Sequence, residues 1–221
     1  MIKVLATDVD GTITNTSRRG CLSAIETIHR VEDMGMPVII VTGNISCFTN
    51  ALSTFLSTSG GIVAENGGVI EFNGKTEILG NYKLCNEAYE YLKAELPVEK
   101  VQNSNLRVSE IALTRKVPVT TIKNVLKDHP VEVYDSKFAI HLTDPEVNKG
   151  SSLLKVAGAL GFNAEEIMAV GDSENDMEFL AAAGLKIAVS NANEELKGIA
   201  DYVTKNAHGD GFKEAVERFI L

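Results

Sequence analysis

The chain predicts an α/β fold, a parallel-sheet core with a small α+β module inserted in it. Three observations carry this. Short, nearly all-apolar runs alternate with helix-period segments near the start of the chain, as expected for strands buried on both faces of a parallel sheet. Between residues 81 and 148 that rhythm gives way to helices beside adjacent, antiparallel strand-like runs. After Gly150 the alternation resumes. The division is therefore a first core segment at 1–80, an inserted α/β module at 81–148 and a second core segment at 149–221.

Ile2–Ala6 reads as the first strand. Ser23–Asp33 follows as a helix, with Ala24, Ile25, Ile28 and Val31 at helical spacing and Gly35 as its stop. Pro37–Val41 is a second buried strand, Ala51–Phe55 lies in a helix, and Ile62–Ala64 is a third strand. Asn73-Gly74 between Val69–Phe72 and Thr76–Leu79 signals a hairpin. In the module, helices are expected at Leu84–Leu96 and Thr120–Asp128. Strands are expected at Ser109–Thr114, Val131–Tyr134 and Phe138–Leu142. The second core segment reads as helix Leu153–Leu160, strand Ile167–Val170, helix Met177–Ala183 and strand Leu185–Val189. A short helix at Glu194–Ile199, a short strand at Tyr202–Val203 and a last helix at Gly211–Phe219 complete it.

Composition narrows the function classes. A hydrophobic content of 44% over 221 residues supports a real core and excludes general disorder. The net charge of −9 argues against a nucleic-acid partner, which calls for a basic stripe. No apolar run approaches the length of a membrane span or a secretory signal, so neither membrane nor export is expected. Three cysteines without paired spacing read as reduced thiols in a cytoplasmic protein.

The chemistry concentrates at strand ends. Asp8-Val9-Asp10-Gly11-Thr12 directly follows the first strand, and Gly171-Asp172-Ser173-Glu174-Asn175-Asp176 follows the strand at 167–170. Two acidic strand ends in one chain point to a Mg²⁺ site, since that hard cation prefers oxygen ligands. Asp8 is a candidate nucleophile toward phosphorus, and Asp10 a candidate acid/base for the leaving alkoxide and the hydrolytic water. Gly11 permits the turn that brings both into one pocket. Thr42-Gly43-Asn44, after the second strand, can hold a phosphoryl oxygen. Lys149, at the seam where the module returns to the core, can neutralise the phosphoryl group and Asp8. Asp172 is the third metal anchor. Asp176 suits either the metal site or the first turn of a helix, where negative charge is favourable. Ser173 and Asn175 are supporting groups in the same turn.

These four elements, in this order, resemble the haloacid dehalogenase superfamily of phosphohydrolases. The first motif matches at Asp8–Thr12, the second at Thr42, the third at Lys149, and the fourth at Gly171-Asp172-x-x-Asn175-Asp176. The resemblance implies a Rossmann-like core. It also implies Asp8 as nucleophile, Asp10 as acid/base, and metal ligation by the Asp8 side chain, the Asp10 backbone carbonyl and Asp172, with Asp176 supporting the shell. An insertion between the second and third motifs is similar to the Cof-type branch, whose cap domain lies there. The cap is short, and the whole chain resembles, in size and general sequence likeness, the compact archaeal phosphoglycolate phosphatases of that branch.

The expected activity is Mg²⁺-dependent hydrolysis of a small phosphorylated metabolite, 2-phosphoglycolate first, in carbohydrate metabolism. Sugar-phosphate hydrolysis is an alternative substrate reading, and phosphoryl transfer as in a phosphomutase is one that these motifs do not separate from hydrolysis. Non-catalytic binding is a further alternative, which loss of Asp8 or Asp10 would favour, and both are present. Among cationic and titratable groups of the module (Arg107, Arg115, Lys116, Lys137 and His141), Arg107 is the first candidate for reading the substrate. A monomer or small homo-oligomer fits the composition.

Overall fold

The computed structural model describes all 221 residues and has the expected α/β core with an inserted α+β module. In the first core segment, β1 (Val4–Thr7), α1 (Leu22–Asp33), β2 (Val38–Val41), α2 (Ser46–Phe55) and β3 (Ile62–Ala64) are followed by the hairpin β4 (Val69–Phe72) and β5 (Lys75–Ile78). The module contributes α3 (Tyr82–Glu95), β6 (Ile111–Leu113), α4 (Val119–Val125), β7 (Glu132–Asp135) and β8 (Ile140–Thr143). The chain then forms α5 (Lys149–Ala159), β9 (Ile167–Gly171), α6 (Met177–Ala181), β10 (Leu185–Ala188), α7 (Glu194–Ile199), β11 (Tyr202–Val203) and α8 (His208–Phe219).

The main sheet has the order β11-β10-β9-β1-β2-β3-β4-β5. Its strands from β11 to β3 run parallel, and the β4–β5 hairpin adds an antiparallel edge. Alternation along each strand divides the core into two layers. Val4, Ala6, Ile39, Val41, Ile167 and Ala169 pack under Leu153, Val156, Phe179 and Leu180. Leu5, Val38, Ile40, Met168 and Val170 pack against Ala24, Ile28, Val31, Phe212 and Val216. The second layer is why α1 shows its apolar residues at three- and four-residue spacing.

After β1 the chain builds outward through β2 and β3, then returns to place β9 on the other side of β1. That reversal opens a crevice at the carboxyl ends of β1 and β9, where ligands of open α/β sheets bind. Asp8 and Asp172 stand at its two lips. The module forms its own antiparallel sheet, β6-β8-β7, with a core that includes Cys85, Leu92, Ile111, Ile122 and Leu142.

Several element ends differ from the sequence reading. The largest difference in the second core segment is at α5, which starts at Lys149 rather than Leu153. Asn148 accepts from the Ser151 N–H while the Ser151 side chain accepts from the Asn148 N–H. The first turn buries Lys149, Gly150 and Ser152, which carry no apolar signal. Likewise α8 begins at His208, in a polar turn that hydrophobic periodicity does not register, and α2 begins at Ser46, where Cys47 and Phe48 are exposed rather than core-facing. No helix is long and apolar enough to cross a membrane.

Candidate active site

Gly11 lets the two lips of the crevice meet. Its φ is +93°, and a Cβ there would stand 2.5 Å from Asp172 Oδ2. Its carbonyl accepts from Asn191 Nδ2 at 3.0 Å and from His208 Nδ1 at 2.9 Å. Gly67 (φ +101°) does the same service for the seam: a Cβ there would collide with the Asn148 carbonyl, just before Lys149.

Asp8, Asp172 and Asp176 each offer a carboxylate oxygen within 4.8 Å of the other two, and all three are buried. Lys149 sits among them. Its buried ammonium donates to Asp8 Oδ1 at 2.8 Å and to Asp176 Oδ1 at 2.7 Å. Burial alone would lower the Lys149 pKa, but Asp176 and Asp8 outweigh it and hold it above the usual value. Asp176 has little left to offer, because its Oδ2 accepts from the backbone N–H groups of Asp172 and Ser173, both at 3.0 Å.

The other two carboxylates are poorly compensated. Burial, reinforced by Asp176 and Asp172 and opposed by Lys149, pushes the Asp8 carboxyl well above the usual range. Burial and Asp176 push Asp172 up to about 6. Asp8 Oδ2 and Asp172 Oδ1 are buried without a hydrogen-bond partner. Unsatisfied buried oxygens are costly. Two of them, in an all-oxygen cluster with excess negative charge, fit a hard divalent cation.

Asp10 lies apart from that cluster. Its Oδ1 accepts from Arg18 Nε at 2.8 Å, and its Oδ2 from Arg18 Nη2 at 3.1 Å and Asn44 Nδ2 at 2.6 Å. The two aspartates of the first motif thus face different partners. Thr42 Oγ1 accepts from the Asn44 N–H at 3.2 Å and from Asn44 Nδ2 at 3.0 Å. With both acceptor positions filled, its own proton is free to point elsewhere. Asp8, Asp10, Thr42, Gly43, Asn44, Ser173 and Asn175 all line one cavity of about 720 Å³ between core and module.

Arg107 lines the same cavity, but its guanidinium is held through Nη1, while its buried Nε has no partner. Nη1 donates to the Gly43 carbonyl at 3.0 Å and to buried Glu110. Burial acts to raise the Glu110 carboxyl, yet His141 and Arg107 outweigh it and hold it below the usual range. Lys137 reaches Asp172 Oδ2 at 3.0 Å. Arg115 and Lys116 pair with Asp135 and Glu99 on the surface.

A buried hydrogen-bond chain joins the module to the nucleophile candidate. Asn66 Nδ2 donates to Glu110 at 2.7 Å, and Asn175 Nδ2 donates to Asn66 Oδ1 at 2.8 Å. Ser173 Oγ donates to Asn175 Oδ1 at 2.6 Å. From there the chain continues through Asp176 and Lys149 to Asp8. Sequence reasoning does not single out Arg18, Asn66 or Glu110. A weak signal for Asn66 exists in Glu65-Asn66-Gly67-Gly68 directly after β3, a turn in which residues 65–67 all take positive φ.

Comparison with known proteins finds a family, close relatives and a similar structure. A family model for haloacid dehalogenase-like hydrolases matches residues 5–112 and 100–216. A phosphoglycolate phosphatase of Methanothermobacter thermautotrophicus is 54% identical over 99% of each chain. A phosphoglycolate phosphatase of Archaeoglobus fulgidus is 38% identical, over 97% of this chain and 96% of its own. The crystal structure of Thermoplasma acidophilum 0175 superposes with a TM-score of 0.92 at 25% identity, covering 99% of this chain and 98% of that one.

Proposed function

The chain belongs to the haloacid dehalogenase-like hydrolase family, and from that premise we propose that it hydrolyses 2-phosphoglycolate to glycolate and phosphate, with Mg²⁺ as cofactor. The observation that carries this reading is Asp8, a buried carboxylate with one oxygen anchored by Lys149 and the other unpartnered. The name shared by the near relatives supplies the substrate.

Asp8 attacks phosphorus in line, and the bond from phosphorus to the glycolate oxygen breaks as the aspartyl-phosphate forms. Asp10 delivers a proton to that oxygen and then takes one from the water that attacks the aspartyl-phosphate, releasing phosphate and restoring Asp8. Lys149 keeps Asp8 in place and offsets its charge. The Thr42 hydroxyl and the Gly43 N–H hold phosphoryl oxygens. Asp8, Asp172 and the Asp10 backbone carbonyl would hold Mg²⁺, with Asp176 fixing the Asp172 turn. When bound, the cation neutralises charge shared between nucleophile and phosphoryl group. The module at 81–148 acts as the cap that excludes bulk water.

A panel of phosphomonoesters at saturating Mg²⁺, compared by kcat/KM, tests the reading. Phosphoglycolate is expected to lead. A hexose phosphate ahead by tenfold, about 1.4 kcal/mol of transition-state preference, would reject the substrate and leave the phosphatase.

Metal binding is checked separately by thermal unfolding. A ligand that binds only the native state adds roughly 2.7 kcal/mol at a hundred times its Kd. For a chain of this size each kcal/mol is worth about 2–4 °C. Mg²⁺ is therefore expected to raise Tm by several degrees, and Asp172→Asn to remove most of that rise. An unchanged Tm across a Mg²⁺ titration would count against the site.

A further inference from the structure

A phosphomonoester that carries a carboxylate needs a cation near the phosphate site that is free to move to it. Arg18 and Arg107 line the cavity and Lys137 lies beside its rim, between the lining residues Ser136 and Phe138; their engagements differ. Arg107 is buried, and although its Nε has no partner, its Nη1 is bonded to Glu110 and the Gly43 carbonyl, so it cannot move without breaking a buried ion pair. Lys137 is bonded to Asp172, a proposed metal ligand, and offers a single point of charge. Arg18 is different. Its side chain is 48% exposed, so it can swing without opening a packed core. Its guanidinium lies 5.2 Å from the centre of the Phe138 ring, which comes from the module, so it spans the cleft. It also grips Asp10 as a fork, the geometry with which arginine holds carboxylates.

That grip has a consequence for the chemistry. Asp10 Oδ1 is taken by Arg18, and Oδ2 by Arg18 and Asn44. While Arg18 stays in place, both acceptor positions of Oδ2 are filled and one of the two on Oδ1, so the guanidinium competes with a leaving group for the proposed acid/base. We propose that Arg18 is the residue that recognises the substrate carboxylate, and that in moving from Asp10 to the substrate it uncovers the Asp10 oxygen that serves the leaving group. A carboxylate-bearing ester then removes its own block by exchanging one carboxylate for another on the same fork. An ester of equal size without a carboxylate leaves Asp10 in the grip of Arg18. This rests on the phosphoglycolate reading above.

The test compares 2-phosphoglycolate with ethyl phosphate, in which a methyl replaces the carboxylate. Wild type, Arg18→Met, Arg18→Lys, Arg107→Met and Lys137→Met are assayed with both at saturating Mg²⁺, and circular dichroism checks each fold. In wild type, phosphoglycolate is expected to lead. In Arg18→Met the ratio of the two kcat/KM values should fall roughly 10- to 100-fold, the scale for loss of a charge-assisted bidentate contact in a partly closed site. The fall should come from both sides, with kcat on ethyl phosphate rising because Asp10 is no longer covered. Arg18→Lys should recover part of the ratio. Binding of 3-phosphonopropionate, a non-hydrolysable analogue with a methylene in place of the ester oxygen, should weaken in Arg18→Met by a similar factor in calorimetry. A uniform fall on both substrates in Arg18→Met, or a collapse of the ratio in Arg107→Met or Lys137→Met with Arg18→Met unaffected, overturns the proposal. A wild type with no preference between the two esters overturns the substrate reading and this inference together, whereas a strong wild-type preference that survives in Arg18→Met overturns this inference alone.

Discussion

Asp8→Asn is expected to abolish turnover, with kcat down about 10⁴-fold or more, the scale seen when a hydrolase loses its nucleophile. An amide of the same shape fills the site but cannot attack phosphorus. The same substitution should not harm the fold. Burial together with Asp176 and Asp172 raises the Asp8 pKa despite Lys149. For a carboxyl with a raised folded-state pKa, ionisation opposes folding. Its stabilising contribution is present at low pH and lost as pH rises through the folded value. At neutral pH without metal, the neutral amide should therefore leave Tm equal to or above that of wild type. Turnover and thermal unfolding in the presence of a chelator measure the two halves. Substantial activity in the variant would end the aspartyl-phosphate assignment. A large fall in Tm would show that Asp8 is structural.

Lys149→Met is expected to cost both stability and activity. Its ammonium is the only cation bonded to Asp8 and Asp176, and side-chain exposure at this triad is 5% or less. Removing one partner from a buried ion pair leaves the other charge uncompensated, at a cost of about 3–5 kcal/mol. The activity loss should exceed the range of about 10²–10⁴-fold for a single acid/base group, because Asp8 loses its anchor and the phosphoryl charge loses its counter-ion. A double variant separates these effects. Adding Asp176→Asn to Lys149→Met removes one of the stranded charges and should restore part of the lost Tm, leaving activity absent. Denaturant unfolding with kcat/KM for the two single variants and the double variant completes the cycle. Near-wild-type stability in Lys149→Met would mean that the triad is not the electrostatic centre of the crevice.

Much of this site is legible in the chain because its parts are local. Asp8, Thr42 and Asp172 each follow an apolar run that becomes a strand of the parallel sheet. A polar residue just beyond such a run, beside a glycine, is poised at the end of a strand. Lys149 is legible as the residue at the seam. Its burial is not, since nothing in Asn148-Lys149-Gly150 distinguishes a buried ammonium from a solvated one.

The groups that sequence reasoning misses each have at least one partner far away in the chain. Arg18 pairs with Asp10 only 8 residues away, but its link to Asn44 spans 26 residues. Asn66 meets Glu110 across 44 residues and Asn175 across 109. Arg107 stands out in the sequence as a module cation, but only the packing shows that Glu110 already holds it.

The alternation of strands and helices, the place of the inserted module and the strand-end residues all follow from the order of residues alone, because burial periodicity and turn chemistry act over a few neighbouring positions. Which charges pair is a matter of the folded arrangement. It depends on strand order: β9 returning beside β1 brings Asp172 against Gly11, and α5 starting at the seam drives Lys149 between Asp8 and Asp176. Electrostatic pairing is set by distance in space and by the exclusion of water. Neither is written in the order of residues along the chain.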